Sequence, residues 1–355
     1  MKRGGNAVDA AVATGFALAV TYPFAGNIGG GGFMVIHMAD GRSAAMDYRE
    51  VAPLAATRDM YLDANGKLTN KSLYGALAVG VPGSVAGMAA ALAKYGTMSL
   101  HDVMQPAIRL ASEGFTVDSA LYRSINASRR LIGAFAGAKV FLPDGQPPAP
   151  GSVLKQPDLA RTLTLIADQG PAAFYTGPIA DKLVAEQKTD GGIITKEDLA
   201  RYKPIERVPI EGTYRGYTLF TMPPSSSGGV TVTETMNILE TVPTLPAFGT
   251  AEYFHLLGSA DAVNVGERVA WCGSIVDASL RAYALLVSSS TGTFTNAGSP
   301  SFVLRSMNAR RNASATRWVY SALPNAGSLG QVSSWLSVSS IVMPPDDDGG
   351  IVNSE

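Results

Sequence analysis

The sequence predicts an α/β (α+β) layer protein with mainly antiparallel strands, and three observations carry that reading. Two apolar runs flank Asp40-Gly41, a strong short-range hairpin signal. A second strand pair flanks Arg215-Gly216. Around both lie Ala-rich stretches of helical pattern that close at glycines. The coarse order is therefore helix, hairpin, helices, strand pair, helix.

Taken in order, Met1-Lys2-Arg3 and the apolar run Ala7 to Val20 allow two readings. One is the basic and apolar regions of a signal peptide. The other is a buried helix with Asn6 as its N-cap. Asn6 just before the run and Asp9 inside it favour the helix, and about 14 residues are too few to span a membrane. The glycines 29–32 then lead into Phe33–Met38, the first hairpin strand. They do not make G-x-G-x-x-G, since Ile28 takes the place of the second glycine, and they precede a strand instead of following one. A tight backbone crossing with positive φ is the reading that remains. Alternation along Arg42–Tyr48 would put Asp47 and Arg49 on one face near the strand end.

Ser84–Lys94 reads as a helix with Gly96 as its C′ glycine, and Ser99 to Asp102 as a capping box for a helix ending near Gly114. Arg130–Gly151, rich in Gly, Pro and Ala, reads as a surface excursion. Helices follow at Pro157–Gln169 and Gly177–Lys188, and Thr195 to Asp198 caps a short one. Val208–Tyr214 and Tyr217–Met222 form the second strand pair. Pro223 to Gly229 is a rigid turn before a helix at about Val230–Glu240.

Composition excludes several function classes. Of the 355 residues, 46% are hydrophobic and only 16% charged, which supports a sizeable core. A net charge of −1 gives no footprint for nucleic acid or anionic membrane. A single cysteine, Cys272, rules out a disulfide framework and a Cys-based zinc site. His37, His101 and His255 are scattered, so neither a metal nor a cofactor is expected, and each histidine reads as structural. No Walker A loop and no G-x-S-x-G elbow occur. The acidic run Asp346–Asp348 lacks EF-hand spacing and reads as a solvated end.

One seam runs through this composition. All three tryptophans and the cysteine lie after residue 257, and no lysine follows Lys203. Residues 1–257 and 258–355 are therefore read as separate regions, the second atypical and poorly ordered.

Residues 4 to 257 carry a series of ordered motifs. They include Gly4-Gly5-Asn6-Ala7-Val8-Asp9-Ala10-Ala11, Gly26-Asn27-Ile28 through Phe33, and Met46-Asp47-Tyr48-Arg49-Glu50-Val51-Ala52-Pro53. Gly80-Val81-Pro82-Gly83-Ser84-Val85-Ala86-Gly87, Tyr214-Arg215-Gly216-Tyr217 and Met222-Pro223-Pro224 through Gly229 continue the series. Together they resemble the γ-glutamyltranspeptidase (glutathione hydrolase) family, specifically its large subunit. The resemblance implies the N-terminal-nucleophile hydrolase fold, an αββα sandwich of which this chain holds the large-subunit part. It implies a precursor that cuts itself in two. The new N-terminal threonine of the small subunit attacks a γ-glutamyl amide, with its own α-amine as base. Glutathione or another γ-glutamyl compound is the implied substrate, the small catalytic subunit the implied partner, and the periplasm or cell exterior the implied location.

In the family's R-E-x-A-P motif the arginine holds the α-carboxylate of the glutamyl group, and that position here is Arg49. A planar guanidinium matches a carboxylate bidentately, as a lysine does not. Asp47, two residues earlier, is placed to orient it. The bland alternative pairs Arg49 with Asp47 or Glu50 at a strand end.

The sequence also departs from the family. No T-T-H triplet occurs anywhere, and the small subunit's serine and glycine pairs have no counterpart, so no catalytic nucleophile is assigned. The resemblance stops abruptly near Leu257, where a frameshift or truncation would give a foreign tail. Three functions stay open: γ-glutamyl transfer or hydrolysis through an N-terminal threonine whose small subunit is absent from this chain, a catalytically inactive fragment, and a related amide acylase such as a cephalosporin acylase.

Overall fold

The computed structural model describes residues 1–226 and 228–260. The 258–355 region lies, beyond Ala260, outside the described residues. The chain divides into two compact units between Asn237 and Ile238.

In the first unit α1 (Ala7–Thr21) opens the fold. The Asn6 side chain accepts hydrogen bonds from the backbone of Val8 and Asp9, at 2.9 and 3.1 Å, and Asp9 accepts in return from the Asn6 N–H at 2.7 Å. This reciprocal cap satisfies donors that a helix start leaves orphaned. Val12, Phe16 and Val20 are fully buried, so Ala7–Val20 is a core helix. It packs against α2 (Ser84–Tyr95) and α3 (Leu100–Glu113), and α3 packs on α7 (Pro157–Gln169). The α1 face, Met104, Leu163 and Ile166 join one hydrophobic core.

Strands β1 (Phe33–His37) and β2 (Ser43–Asp47) pair antiparallel, Phe33 opposite Asp47 and His37 opposite Ser43. The connection between them is closed by the Met38 N–H donating to Arg42 O, with Gly41 left-handed at φ +85°. The expected alternation is missing from β2. Ala44 through Asp47 are all buried in β2, the middle strand of three, because its faces are covered: α2 packs on it and Ser225 lies over Asp47. Its other neighbour is β5 (Ile205–Arg207), with Asp47 opposite Ile205.

Between the helices, β3 (Phe115–Thr116) pairs with β4 (Val153–Leu154). The expected surface excursion is partly structured. The helix α4 (Ser119–Ala127) and the short α5 (Arg129–Ile132) and α6 (Ala138–Phe141) surround a satellite core of Val117, Leu121, Ile125, Leu142 and Leu154. Next come α8 (Ala172–Tyr175), α9 (Pro178–Thr189) and α10 (Lys196–Arg201), the last with a capping box between Thr195 and Asp198. Strands β6 (Ile210–Tyr214) and β7 (Tyr217–Thr221) form a hairpin turning on Arg215 (φ 48°) and Gly216 (φ 84°). Two consecutive left-handed residues are what a type I′ turn requires. Helix α11 (Gly228–Glu240) follows.

Gly96 corrects the C′ reading. Its φ is −81°, so no left-handed backbone requires glycine there. A Cβ would instead stand 2.6 Å from the Asp9 carboxylate. That carboxylate, 1% exposed, also accepts from the Thr97 N–H (2.9 Å), the Thr97 hydroxyl (2.7 Å) and the Met98 N–H (3.0 Å). Burial pushes the Asp9 pKa up, but the bonds from Thr97, Met98 and Asn6 together outweigh it and hold the pKa below the usual carboxylate value.

Of the second unit, residues 238–260 are described, and residues 251–260 are helical. Tyr253 makes edge contacts with Phe248 and Phe254, ring centroids 5.3 and 5.8 Å apart.

Candidate functional site

Beyond the end of β2 the chain runs through Tyr48-Arg49-Glu50-Val51 between two glycine-containing segments. Gly32 and Tyr48 exchange backbone hydrogen bonds of 3.2 and 3.0 Å. On the other side Val51 and Val81 bond reciprocally at 3.3 and 2.8 Å. The Gly30 carbonyl accepts from Gly83 (2.7 Å) and Ser84 (2.9 Å) at the start of α2, which ties the two segments together.

The glycine run is a close crossing of this segment. A Cβ on Gly31 would stand 2.6 Å from the Tyr48 carbonyl oxygen, 2.7 Å from the Glu50 nitrogen and 2.9 Å from the Arg49 Cα. The expected left-handed backbone is not there. Gly29 to Gly32 are absent from the positive-φ positions of the described chain. Space, not φ, calls for glycine at Gly31.

Aromatic side chains brace the same segment from behind. The Tyr48 ring lies against Gly32 and Gly87, and burial pushes its phenol up to about 12. The Tyr202 hydroxyl donates to the Arg49 carbonyl oxygen at 3.0 Å. Its ring stacks on Tyr175, centroids 5.7 Å apart, and the Tyr175 hydroxyl donates to the Pro82 carbonyl at 2.9 Å. Burial raises the pKa of both phenols, so this backing stays neutral.

Asp47 and Arg49 are brought together, through the backbone and a turn. The buried Asp47 carboxylate accepts from the Arg49 backbone N–H at 3.2 Å. Its other oxygen accepts from Arg207 Nε (2.8 Å) and from the Ser225 hydroxyl (3.2 Å). Arg49 Nη1 donates to the Ser225 carbonyl oxygen at 3.3 Å. Arg207 and Ser225 are the participants that sequence reading misses. Only three residues make up β5, which carries Arg207, and so short a strand shows no period to read. Ser225 has nothing to set it apart from its neighbours in the Pro-Pro-Ser-Ser-Ser turn.

Arg49 is half-buried beside an open cleft of about 460 Å³, whose walls include Asn27, Glu50, Pro53, Tyr61 and Gly80. A guanidinium held from its backbone at such a cleft suits an incoming carboxylate.

Of the histidines only His37 packs against neighbours. His37 Nδ1 lies 2.7 Å from the Ser43 hydroxyl and its ring stacks on Phe220. His101 is exposed in the first turn of α3, and His255 is exposed in the second unit. Among the described residues no cluster of three or more His, Cys, Asp or Glu side chains suited to a metal ion occurs, and no helix is long and apolar enough to cross a membrane.

The family model described as Gamma-glutamyltranspeptidase matches residues 1–292. The chain belongs to the γ-glutamyltranspeptidase family. The match runs past Leu257, so the resemblance does not stop where the sequence motifs end. A glutathione hydrolase proenzyme of Escherichia coli (strain K12) is 47% identical over 277 residues, 77% of this chain and 48% of that protein. The acylase ACY 1 proenzyme of Pseudomonas sp. (strain SE83) is 42% identical over 75% of this chain and 49% of that protein. The chain thus spans about half the length of the curated relatives it matches. The Helicobacter pylori γ-glutamyltranspeptidase crystal structure superposes with a TM-score of 0.73 at 43% identity, covering 76% of this chain and 78% of that one. The fold is accordingly the α+β N-terminal-nucleophile hydrolase fold, and the chain spans its large-subunit region.

Proposed function

We propose that this chain supplies the donor-binding half of an enzyme that transfers the γ-glutamyl group of glutathione and other γ-glutamyl amides to water or to an acceptor amine. The observation that carries the proposal is the placement of Arg49. Its guanidinium stands at the edge of the cleft, Gly31 lies against its backbone, Tyr202 bonds its carbonyl, and Val81 pairs with Val51 two residues on. In this reading Arg49 takes the α-carboxylate of the donor and leaves the γ-amide extended toward the nucleophile.

The nucleophile is a threonine outside this sequence, at the N-terminus of a small subunit released by self-cleavage. Its α-amine accepts the hydroxyl proton as the oxygen attacks the γ-carbonyl. The tetrahedral intermediate expels the amine, which takes that proton. Water or an acceptor amine then releases the γ-glutamyl group from the ester. Location in the periplasm or outside the cell belongs to the same proposal.

The acylase relative supports a second reading, an amide acylase whose acyl group lacks an α-amine. Titration of the full chain with L-glutamate and with glutarate separates the two. Preferential binding of L-glutamate supports the first, and preferential binding of glutarate supports the second. The Arg49→Lys variant is expected to bind L-glutamate at least tenfold more weakly, since a point charge does not replace a bidentate fork. Unchanged affinity in Arg49→Lys would remove Arg49 from the donor site.

A further inference from the structure

We infer that Asp47 is a positioning residue that fixes the Arg49 guanidinium through Ser225, with Arg207 as its counter-ion. This rests on Arg49 being the donor-carboxylate site. Four contacts carry it. One Asp47 oxygen receives the Arg49 backbone N–H at 3.2 Å. The other receives Arg207 Nε at 2.8 Å and the Ser225 hydroxyl at 3.2 Å. The Ser225 carbonyl in turn receives Arg49 Nη1 at 3.3 Å, which closes a ring of Asp47, Ser225 and Arg49. The ring joins segments 176 to 178 residues apart in sequence, and Arg207 adds a third strand.

Asp47 is 6% exposed, so water does not readily replace these partners. The contact with Arg207 is charge-assisted and of ideal length, which anchors the carboxylate. With Asp47 anchored, the Ser225 hydroxyl fixes the turn, and the turn's carbonyl fixes one edge of the Arg49 fork. Two donors of a planar guanidinium bind a carboxylate well only in one plane, so fixing that plane in advance lowers the ordering cost of binding. The Ser225→Ala variant keeps the backbone carbonyl that receives Arg49 and loses only the hydroxyl that ties the turn to Asp47.

The test uses the full chain with labelled arginine side chains. NMR reports the order parameter of the Arg49 Nε–H bond, calorimetry reports L-glutamate affinity, and thermal melting reports the fold. Ser225→Ala is expected to lower the Arg49 order parameter and to weaken L-glutamate binding about threefold, with the melt unchanged. Asp47→Asn is expected to lower it further and weaken binding about tenfold. Should Asp47→Asn fail to fold, Ser225→Ala alone carries the decision. A wild-type Arg49 order parameter in Ser225→Ala would overturn the inference, since a purely structural Asp47 predicts that result. A lowered order parameter in a chain that binds no L-glutamate would uphold the positioning role and reject the donor-site reading instead.

Discussion

Gly31→Ala tests most directly how the Arg49 segment is held. The added Cβ would stand 2.6 Å from the Tyr48 carbonyl oxygen and 2.7 Å from the Glu50 nitrogen. Carbon–oxygen contacts in proteins settle at about 3.3–3.6 Å, so the two backbones must part by roughly 0.7 Å. Both are main chain, and no rotamer change relieves the contact. Overpacking of this kind costs about 1–3 kcal/mol of stability. The shift also moves Arg49 itself, and a displacement approaching 1 Å in a binding site is worth up to about 10²-fold. The expected outcome is an unfolding free energy in urea lowered by that amount and L-glutamate affinity reduced at least tenfold by calorimetry. Gly66→Ala is the control. Gly66 has φ +74° and open space around its Cβ position, so that variant is destabilised by backbone strain, about 1 kcal/mol. Its L-glutamate affinity stays at wild type. If Gly31→Ala binds within twofold of wild type and unfolds at the same urea concentration, the close-crossing account of the glycine run is wrong.

Two further predictions concern the frame around the site. Asp9→Asn leaves buried N–H donors of Thr97 and Met98 facing an amide, and is expected to lose about 2–5 kcal/mol in urea unfolding. Because the folded pKa of Asp9 lies below its unfolded value of about 3.9, its contribution is complete above about pH 5 and fades as pH falls through the folded value. The variant should lack that part of the acid-side decline, and a wild-type pH profile in Asp9→Asn would refute the assignment. Phe16→Ala empties the centre of the α1 core and should cost about 3–5 kcal/mol, read from the same unfolding curves. A loss under about 1 kcal/mol would mean that α1 is not central to the core.

Much of the frame is legible because local rules decide it. Asn6 spells an N-cap, to which the structure adds Asp9 as its reciprocal partner, Asp40-Gly41 and Arg215-Gly216 spell hairpins, and Pro157–Gln169 matches its helix. Arg49 is legible only through the family motif. Elsewhere the reading fails where tertiary contact overrides the local pattern. Alternation on β2 vanishes because distant segments cover its faces, α2 on the strand and the Ser225 turn over Asp47, 178 positions away. Gly96 and Gly31 look like conformational glycines and turn out to be spatial ones.

By itself the sequence determined the order of helices and hairpins, the residues that cap them, and the family to which the chain belongs. Those features depend on neighbours within a few residues or on ordered motifs. Only the tertiary structure decided that Asp47 faces Arg207 and Ser225, that Tyr202 holds the Arg49 carbonyl, and that Gly31 lets the two backbones meet. Each of these joins segments apart in the chain, and long-range pairing leaves no local period or spacing to read. The carboxylate-binding arginine could be named from its motif, while what holds it in place emerged only when the chain had folded back on itself.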